Sequence, residues 1–274
     1  MPSTPCLALG SGSTIRPCTH DRVCRYTVFV KPLQRLSLSS LLIEMHWNDH
    51  LLASGTGFFA SLGAKSFLVT NRHNLSGRHA ETNEIMSSRG VTPTHVRVRY
   101  LVDWSLRFEK STYPLLSTDT EEPLWLEHAY YGRKVDVVAL ELPSPPGLVQ
   151  PVVTQEGEID RFFVAVNEDV AVVGYPFRSL DAARTAIRAR GTIVSEPEIQ
   201  FGELPRFVID SRTRTGMSGS PVVMFAASGT FHPSGGETAV AGGPVQQFLG
   251  VYSGRISPES DLGYLWVRAY CGRS

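Results

Sequence analysis

Ser218 stands in the stretch TGMSGSPVV (215–223), with Gly216 two residues before it and Gly219 directly after. Glycine weakens a strand and loses the most conformational entropy on folding, so two of them around one hydroxyl need a reason. A sharply bent backbone supplies one, because it aims N–H groups and a hydroxyl at the same small volume. Acyl transfer uses such a geometry: a nucleophile, and donors for the oxyanion that forms when it attacks a carbonyl. The amides of Gly216 and Ser218 are the candidate donors. A serine hydroxyl is a weak nucleophile at neutral pH and needs an adjacent base, most often histidine. That histidine needs a carboxylate to hold its tautomer and stabilise its protonated form.

Of eight histidines, His73 is placed best. It follows the apolar run SFLVT and the polar step Asn71-Arg72, where a strand end projects a side chain into a cleft. His46 and His50 belong to HWNDH, read as a polar turn between strands. His79, His95, His128 and His232 sit in polar or irregular surroundings. Asp136 opens the apolar run DVVALEL (136–142), so it must face solvent or carry a partner. Asp210, in FVIDSR, is the rival carboxylate. The hydrolase elbow Gly-x-Ser-x-Gly is absent, because Ser220 takes its last position. This chemistry calls for no cofactor and no metal, since nucleophile, base and charge stabilisation all come from side chains and amides. Cys18, His20 and Cys24 are spaced unlike any zinc pattern and lack a fourth ligand.

The chain has 274 residues, enough for one large domain or two of about 100–150. Lys plus Arg and Asp plus Glu are 26 each, which leaves no electrostatic footprint for nucleic acid or an anionic membrane. No run approaches the roughly 18–20 apolar residues of a membrane span. The N-terminal stretch lacks the charged head and apolar core of a secretory signal, so a cytoplasmic location is expected. Cys6, Cys18, Cys24 and Cys271 lie near the ends, and the central fold is expected to hold without disulfides.

Positioning the three side chains falls to short strands. Residues 1–35 are rich in Ser, Thr, Pro, Gly and Cys without a period, and read as an extension or loosely ordered arm. From Leu36 the texture changes. LSLSSLLIEMHW reads as strand, and GTGFFA, SLGAK and SFLVT as a hairpin with a glycine-bearing turn. Further strands are expected at VRVRYLVDW, DVVALEL, DVAVVGYPF, GTIVSE, RFVIDS, SPVVMF and QQFLGVYSG. The one long helical candidate, Leu180 to Arg190, reads equally well as a surface loop. Such a pattern argues an all-β sandwich or barrel. With the Pro-rich PSPPGLVQPVV (143–153) as linker, two β-barrels joined near residue 148 are expected.

Taken jointly, TNRH (70–73), DVVALEL, VGYP (173–176) and TGMSGSPVV resemble the trypsin-like, chymotrypsin-fold serine peptidases, the bacterial branch most of all. The chain order His, Asp, Ser also agrees. The resemblance covers about residues 36–270. It implies two six-stranded antiparallel β-barrels of chymotrypsin type with the active site in the cleft between them. Residues 36–147 would form the first barrel, with His73 and Asp136, and 148–274 the second, with Ser218. Residues 1–35 would be an N-terminal extension. Ser218 is then the nucleophile, His73 the general base and later acid, and Asp136 the orienting carboxylate, with the amides of Gly216 and Ser218 as oxyanion hole.

FLGVYSGRI (248–256) resembles the strand that pairs with substrate backbone, which implies main-chain contacts from Tyr252 and Gly254. Met217 stands where bacterial relatives often carry Asn, beside the hole. Arg212, six residues before the nucleophile, replaces the acidic residue that marks preference for Lys or Arg substrates. Arg212, Arg214 and Arg255 are cations able to pair with an acidic side chain. The implied activity is that of a serine endopeptidase working through an acyl-enzyme on protein or peptide substrates, with neither nucleic acid nor membrane as partner. A regulatory partner acting through residues 1–35 is a further expectation. The competing readings are a latent or inactive binding or chaperone module on the same fold, and an acyl hydrolase of small esters.

Overall fold

The computed structural model of the chain describes residues 35–103, 107–143, 148, 151–152, 162–176, 185–233, 236–257 and 259–267. The four cysteines, residues 1–34 of the extension, and most of the Pro-rich stretch lie outside the described residues.

A one-turn helix α1 (Arg35–Ser39) buries Leu36 and Leu38 before the chain extends into β1 (Ser40–Trp47). The sequence alone reads this whole stretch as strand. β2 (His50–Leu62) and β3 (Lys65–Thr70) form the expected hairpin, turned at Gly63 with φ 59°. A second one-turn helix α2 (Arg72–Ser76) follows, then β4 (His95–Leu101), β5 (Phe108–Pro114), β6 (Trp125–Leu126) and β7 (Val138–Leu142). These strands pair in the order β5-β4-β1-β2-β3-β7-β6, a seven-stranded antiparallel sheet. Alternation in β4 shows why: Val96, Val98 and Tyr100 are buried while His95, Arg97 and Arg99 are only partly so, the two-residue period of a half-buried strand. Val96 and Val98 share one core with Leu68, Val138 and Leu140 from β3 and β7, so the sheet curls round on itself.

The second half comprises β8 (Asp169–Gly174), β9 (Ile187–Ile193), β10 (Arg206–Ser211), β11 (Pro221–Ala226), the ribbon β12 (Thr230–Phe231) with β13 (Ala239–Val240), β14 (Val245–Arg255) and β15 (Leu262–Val267). Six of them close into a barrel in the order β10-β15-β14-β11-β8-β9. The helical candidate at Leu180 to Arg190 is corrected here. Residues 180–184 lie outside the described residues, and Ile187–Arg190 pair with β8 as strand, with Ile187 opposite Gly174. Ladder pairing overrides a local helical tendency.

Two apolar clusters join the halves: Leu36 and Leu42 with Val173, Tyr175 and Val223, and Phe58 with Phe248 and Val251. Ser40 Oγ donates to Val173 O at 2.6 Å across the same seam. No helix among the described residues is long and apolar enough to cross a membrane.

Candidate active site

β3 and β7 pair antiparallel with Thr70 opposite Val138, so the chain just past β3 and the chain just before β7 meet at one end of the pair. His73 and Asp136 occupy those two places. Asp136 is 1% exposed, and both carboxylate oxygens are engaged. Oδ1 accepts the His73 backbone N–H at 2.9 Å, and Oδ2 lies 2.7 Å from His73 Nδ1. Ser253 Oγ donates to the same Oδ2 at 2.5 Å. Asn71, fully buried, donates from Nδ2 to Asp136 O at 2.6 Å and fixes the segment's backbone. A carboxylate held by this many donors stays buried without an uncompensated charge. The Nδ1 contact leaves Nε2 as the ring nitrogen free of Asp136, and the residue lines the cleft. The rival Asp210 is exposed on the outer face of β10, because its neighbours Ile209 and Ser211 take the inward positions.

Ser218 lies on the loop between β10 and β11, whose turns are closed by Met217 N–H to Arg214 O at 3.1 Å and Ser220 N–H to Met217 O at 3.0 Å. Gly216 and Gly219 adopt φ 98° and 87°, a region that side chains avoid. A Cβ on Gly219 would also come within 2.1 Å of Thr56 O. Among the described residues neither the Gly216 amide nor the Ser218 amide has an acceptor, so both donors remain available on the cleft side. The carbonyls of the same residues are tied to the other half of the molecule. Thr56 donates its N–H to Ser218 O at 3.0 Å and its hydroxyl to Gly216 O at 2.8 Å. Asn74 Nδ2 adds a bond to Ser218 O at 3.1 Å. The Ser218 hydroxyl itself rests against Ser253 O at 3.4 Å and makes no hydrogen bond to His73.

His73 and Ser218 line two adjoining cavities. One, of about 360 Å³, continues between residues 213–216 and the end of β14, reaching Met45, Leu52 and Val91 on its far side. The other, of about 640 Å³, is bounded by His79, Glu81, Lys134, Arg206, Tyr264 and Trp266.

Three expectations need correction. Tyr252 is not free to pair with substrate through its main chain, because its N–H donates to Ser220 O and its carbonyl accepts from Gly219 N–H, both at 2.9 Å. It contributes a cavity wall instead, and the β14 edge loses its β11-side partner only from Ser253 onward, beside Gly254. Arg212 lines neither cavity: with Ser211 and Thr213 both inward, it points out and is exposed. Met217 is not beside the oxyanion donors but 1% exposed in the barrel core, packed with Val222, Leu249 and Tyr252. Sequence reasoning also missed Ser253, Thr56 and Asn74. Ser253 sits inside the quoted YSG and Thr56 inside GTGFF, so both were adjacent to residues already singled out. Nothing local marks a hydroxyl whose partner is about 120 or 160 positions away.

A closed antiparallel barrel beside a second curled sheet, with the polar cleft between them, is the architecture of the chymotrypsin-type serine endopeptidases, and this is a protein of that class. Residues 55–229 match the model of the trypsin-like peptidase domain. The chain belongs to that family. Solved structures with a similar fold include the active form of the Rv3671c protease from M. tuberculosis, at 18% identity over 85% of this chain and 77% of that one, with a TM-score of 0.43. The serine endoprotease from Yersinia pestis is 14% identical over 85% and 60%, with a TM-score of 0.47. The thermostable serine protease AL20 from an extremophilic microorganism is 12% identical over 85% and 93%, with a TM-score of 0.48. No curated protein matches the chain significantly.

Proposed function

We propose that the chain hydrolyses peptide bonds through a Ser218–His73–Asp136 triad and an acyl-enzyme intermediate. The observation that carries this reading is the 2.7 Å contact between His73 Nδ1 and a buried, triply bonded Asp136, at the mouth of a cleft shared with Ser218. Ser218 Oγ attacks the substrate carbonyl and its proton passes to His73 Nε2. The oxyanion takes the N–H groups of Gly216 and Ser218. His73 then protonates the leaving amine, and the C–N bond breaks. Water, deprotonated by His73, attacks the acyl-enzyme and releases the acid and the free hydroxyl. Asp136 stabilises the imidazolium, while Ser253 and Asn71 hold it in place.

A second reading is favoured by one observation: the Ser218 hydroxyl turns to Ser253 O rather than to His73. On that reading the site is latent and the fold serves as a binding module. Labelling by a fluorophosphonate probe separates the two. An active site labels, and Ser218→Ala and His73→Ala each abolish labelling. A well-folded wild-type protein that does not label contradicts the triad reading and supports the second.

A further inference from the structure

Building on the peptidase reading above, we propose that the cleft selects substrates with an acidic side chain, Asp or Glu, on the residue whose carbonyl Ser218 attacks, and that Arg214 and Arg255 supply the matching charge. The attacked residue must sit between the Gly216 and Ser218 amides and the open edge of β14 that begins at Ser253. Its side chain therefore enters between two walls, residues 213–216 on one side and Tyr252, Gly254 and Arg255 on the other, which both line the 360 Å³ cavity.

The floor of that space is polar. Thr213 and Tyr252 are 1% and 2% exposed, and their hydroxyls lie 2.5 Å apart. Burial pushes the Tyr252 phenol above its ordinary range, a rise that the Thr213 hydrogen bond and the Arg255 charge oppose and the Asp261 charge reinforces.

The walls carry charge of one sign. Arg214 and Arg255 line the cavity, and among its described lining residues there is no Asp or Glu. The neighbouring cavity mixes Glu81 and Asp136 with Lys134, Arg206 and Arg255, so of the two that Ser218 lines, the first has the one-signed lining. The chain as a whole has no net charge, which makes the pair of arginines a local feature rather than a general field. Arg255 makes an interaction of its own, and Arg214 has Asp261 4.0 Å away, with both side chains about half exposed. A pair of that kind contributes little. Arg214 also spends one donor on Thr213 O at 2.9 Å, out of the five that a guanidinium carries. A substrate carboxylate offers the planar, bidentate partner that guanidinium groups favour, whereas Lys or Arg would meet like charge.

The test is a set of peptides identical except for Glu, Gln, Leu or Lys at the acyl-side residue, assayed on the full chain with fluorophosphonate labelling alongside. The expected kcat/KM for Glu exceeds that for its isostere Gln by about tenfold or more, with the excess shrinking as salt is added. Arg214→Ala and Arg255→Ala each lower the Glu-to-Gln ratio, and Arg255→Glu shifts preference toward Lys. The ratio is the readout because it cancels any change in the nucleophile itself. Cleavage with a ratio near one, or with Leu or Lys preferred, overturns the acidic assignment and leaves the peptidase reading standing. A Glu preference untouched by either arginine substitution overturns the assignment to these residues. Absence of both labelling and cleavage removes the triad reading, and this proposal with it.

Discussion

Gly216 and Met217 are chain neighbours on the nucleophile loop, yet substitutions there should damage different things. Gly216 holds φ 98° and offers its amide to the cleft, so a β-branched residue forces the backbone to relax and re-aims that donor. Gly216→Val is expected to cost roughly 10²–10³ in kcat, the effect of one lost oxyanion donor. Its cost in stability should be about 1–3 kcal/mol. Met217 is buried in the barrel core, so Met217→Asn removes apolar contacts and buries an amide, at about 2–5 kcal/mol of stability. The fraction that stays folded should still react with the probe. Urea titration and probe labelling of both variants decide the matter, and parallel losses of activity and stability in Gly216→Val would contradict the assignment. Residue chemistry was legible where it was local: glycines around a serine, a histidine past an apolar run, an aspartate heading another. Met217 was misread because a family position was carried over without its burial, which depends on the barrel closing around it.

Each element was visible in the sequence to the extent that its residues alternate. The β2–β3 hairpin, β4, β7, β8, β10, β11 and β14 all fall on runs of aromatic or β-branched residues with turn signals at their ends. The first half of β9 was hidden, since Ile187-Arg-Ala-Arg190 pairs with β8 only in the folded barrel, whereas its second half falls on the expected strand GTIVSE. Also hidden was the fixing of the nucleophile loop by β2. Thr56 donates through N–H and hydroxyl to two loop carbonyls, accepts the Tyr175 N–H at 3.0 Å, and receives the Thr70 hydroxyl on its own carbonyl at 2.7 Å. One strand residue thereby sets the plane of the peptides on either side of the oxyanion donors. Thr56→Val keeps the shape and removes the hydroxyl, leaving Gly216 O and Tyr175 N–H without that partner. The expected result is a drop in kcat of about tenfold with KM little changed, since a hydrogen bond of this kind contributes about 1 kcal/mol and acts on orientation. Thr56→Ser should restore the rate. Failure of serine to rescue would show that side-chain packing, not the hydroxyl, is what the loop requires.

At the largest scale, the described residues form two curled sheets sharing one cleft, and the pH response is set partly outside that cleft. His46 on β1 and His95 at the start of β4 stack at 5.3 Å with their planes 11° apart. His46 is 4% exposed, and its two ring nitrogens, with His95 Nε2, are buried without a hydrogen-bond partner among the described residues. Sequence reasoning placed both histidines in polar surroundings, because strand pairing of residue 46 with residue 95 is invisible to a local reading. Desolvation, reinforced by Arg97, holds both rings below the usual histidine range. Glu44 and Asp49 act the other way, Lys110 opposes protonation of His46, and Lys110 is itself paired with Glu44 at 2.8 Å. The native rings therefore stay neutral while the unfolded chain takes up protons below pH ~6.5. Stability from this source is complete above that pH and falls as pH drops toward the lower native values, by no more than about 1.4 kcal/mol per pH unit per histidine. Urea unfolding between pH 7.5 and 5.5 should show this decline. The chain with His46→Gln and His95→Gln should be less stable at pH 7.5 yet flatter across the interval, since glutamine does not titrate. An equally steep decline in the double variant would assign the pH dependence to other groups and leave the stacked pair a purely structural contact.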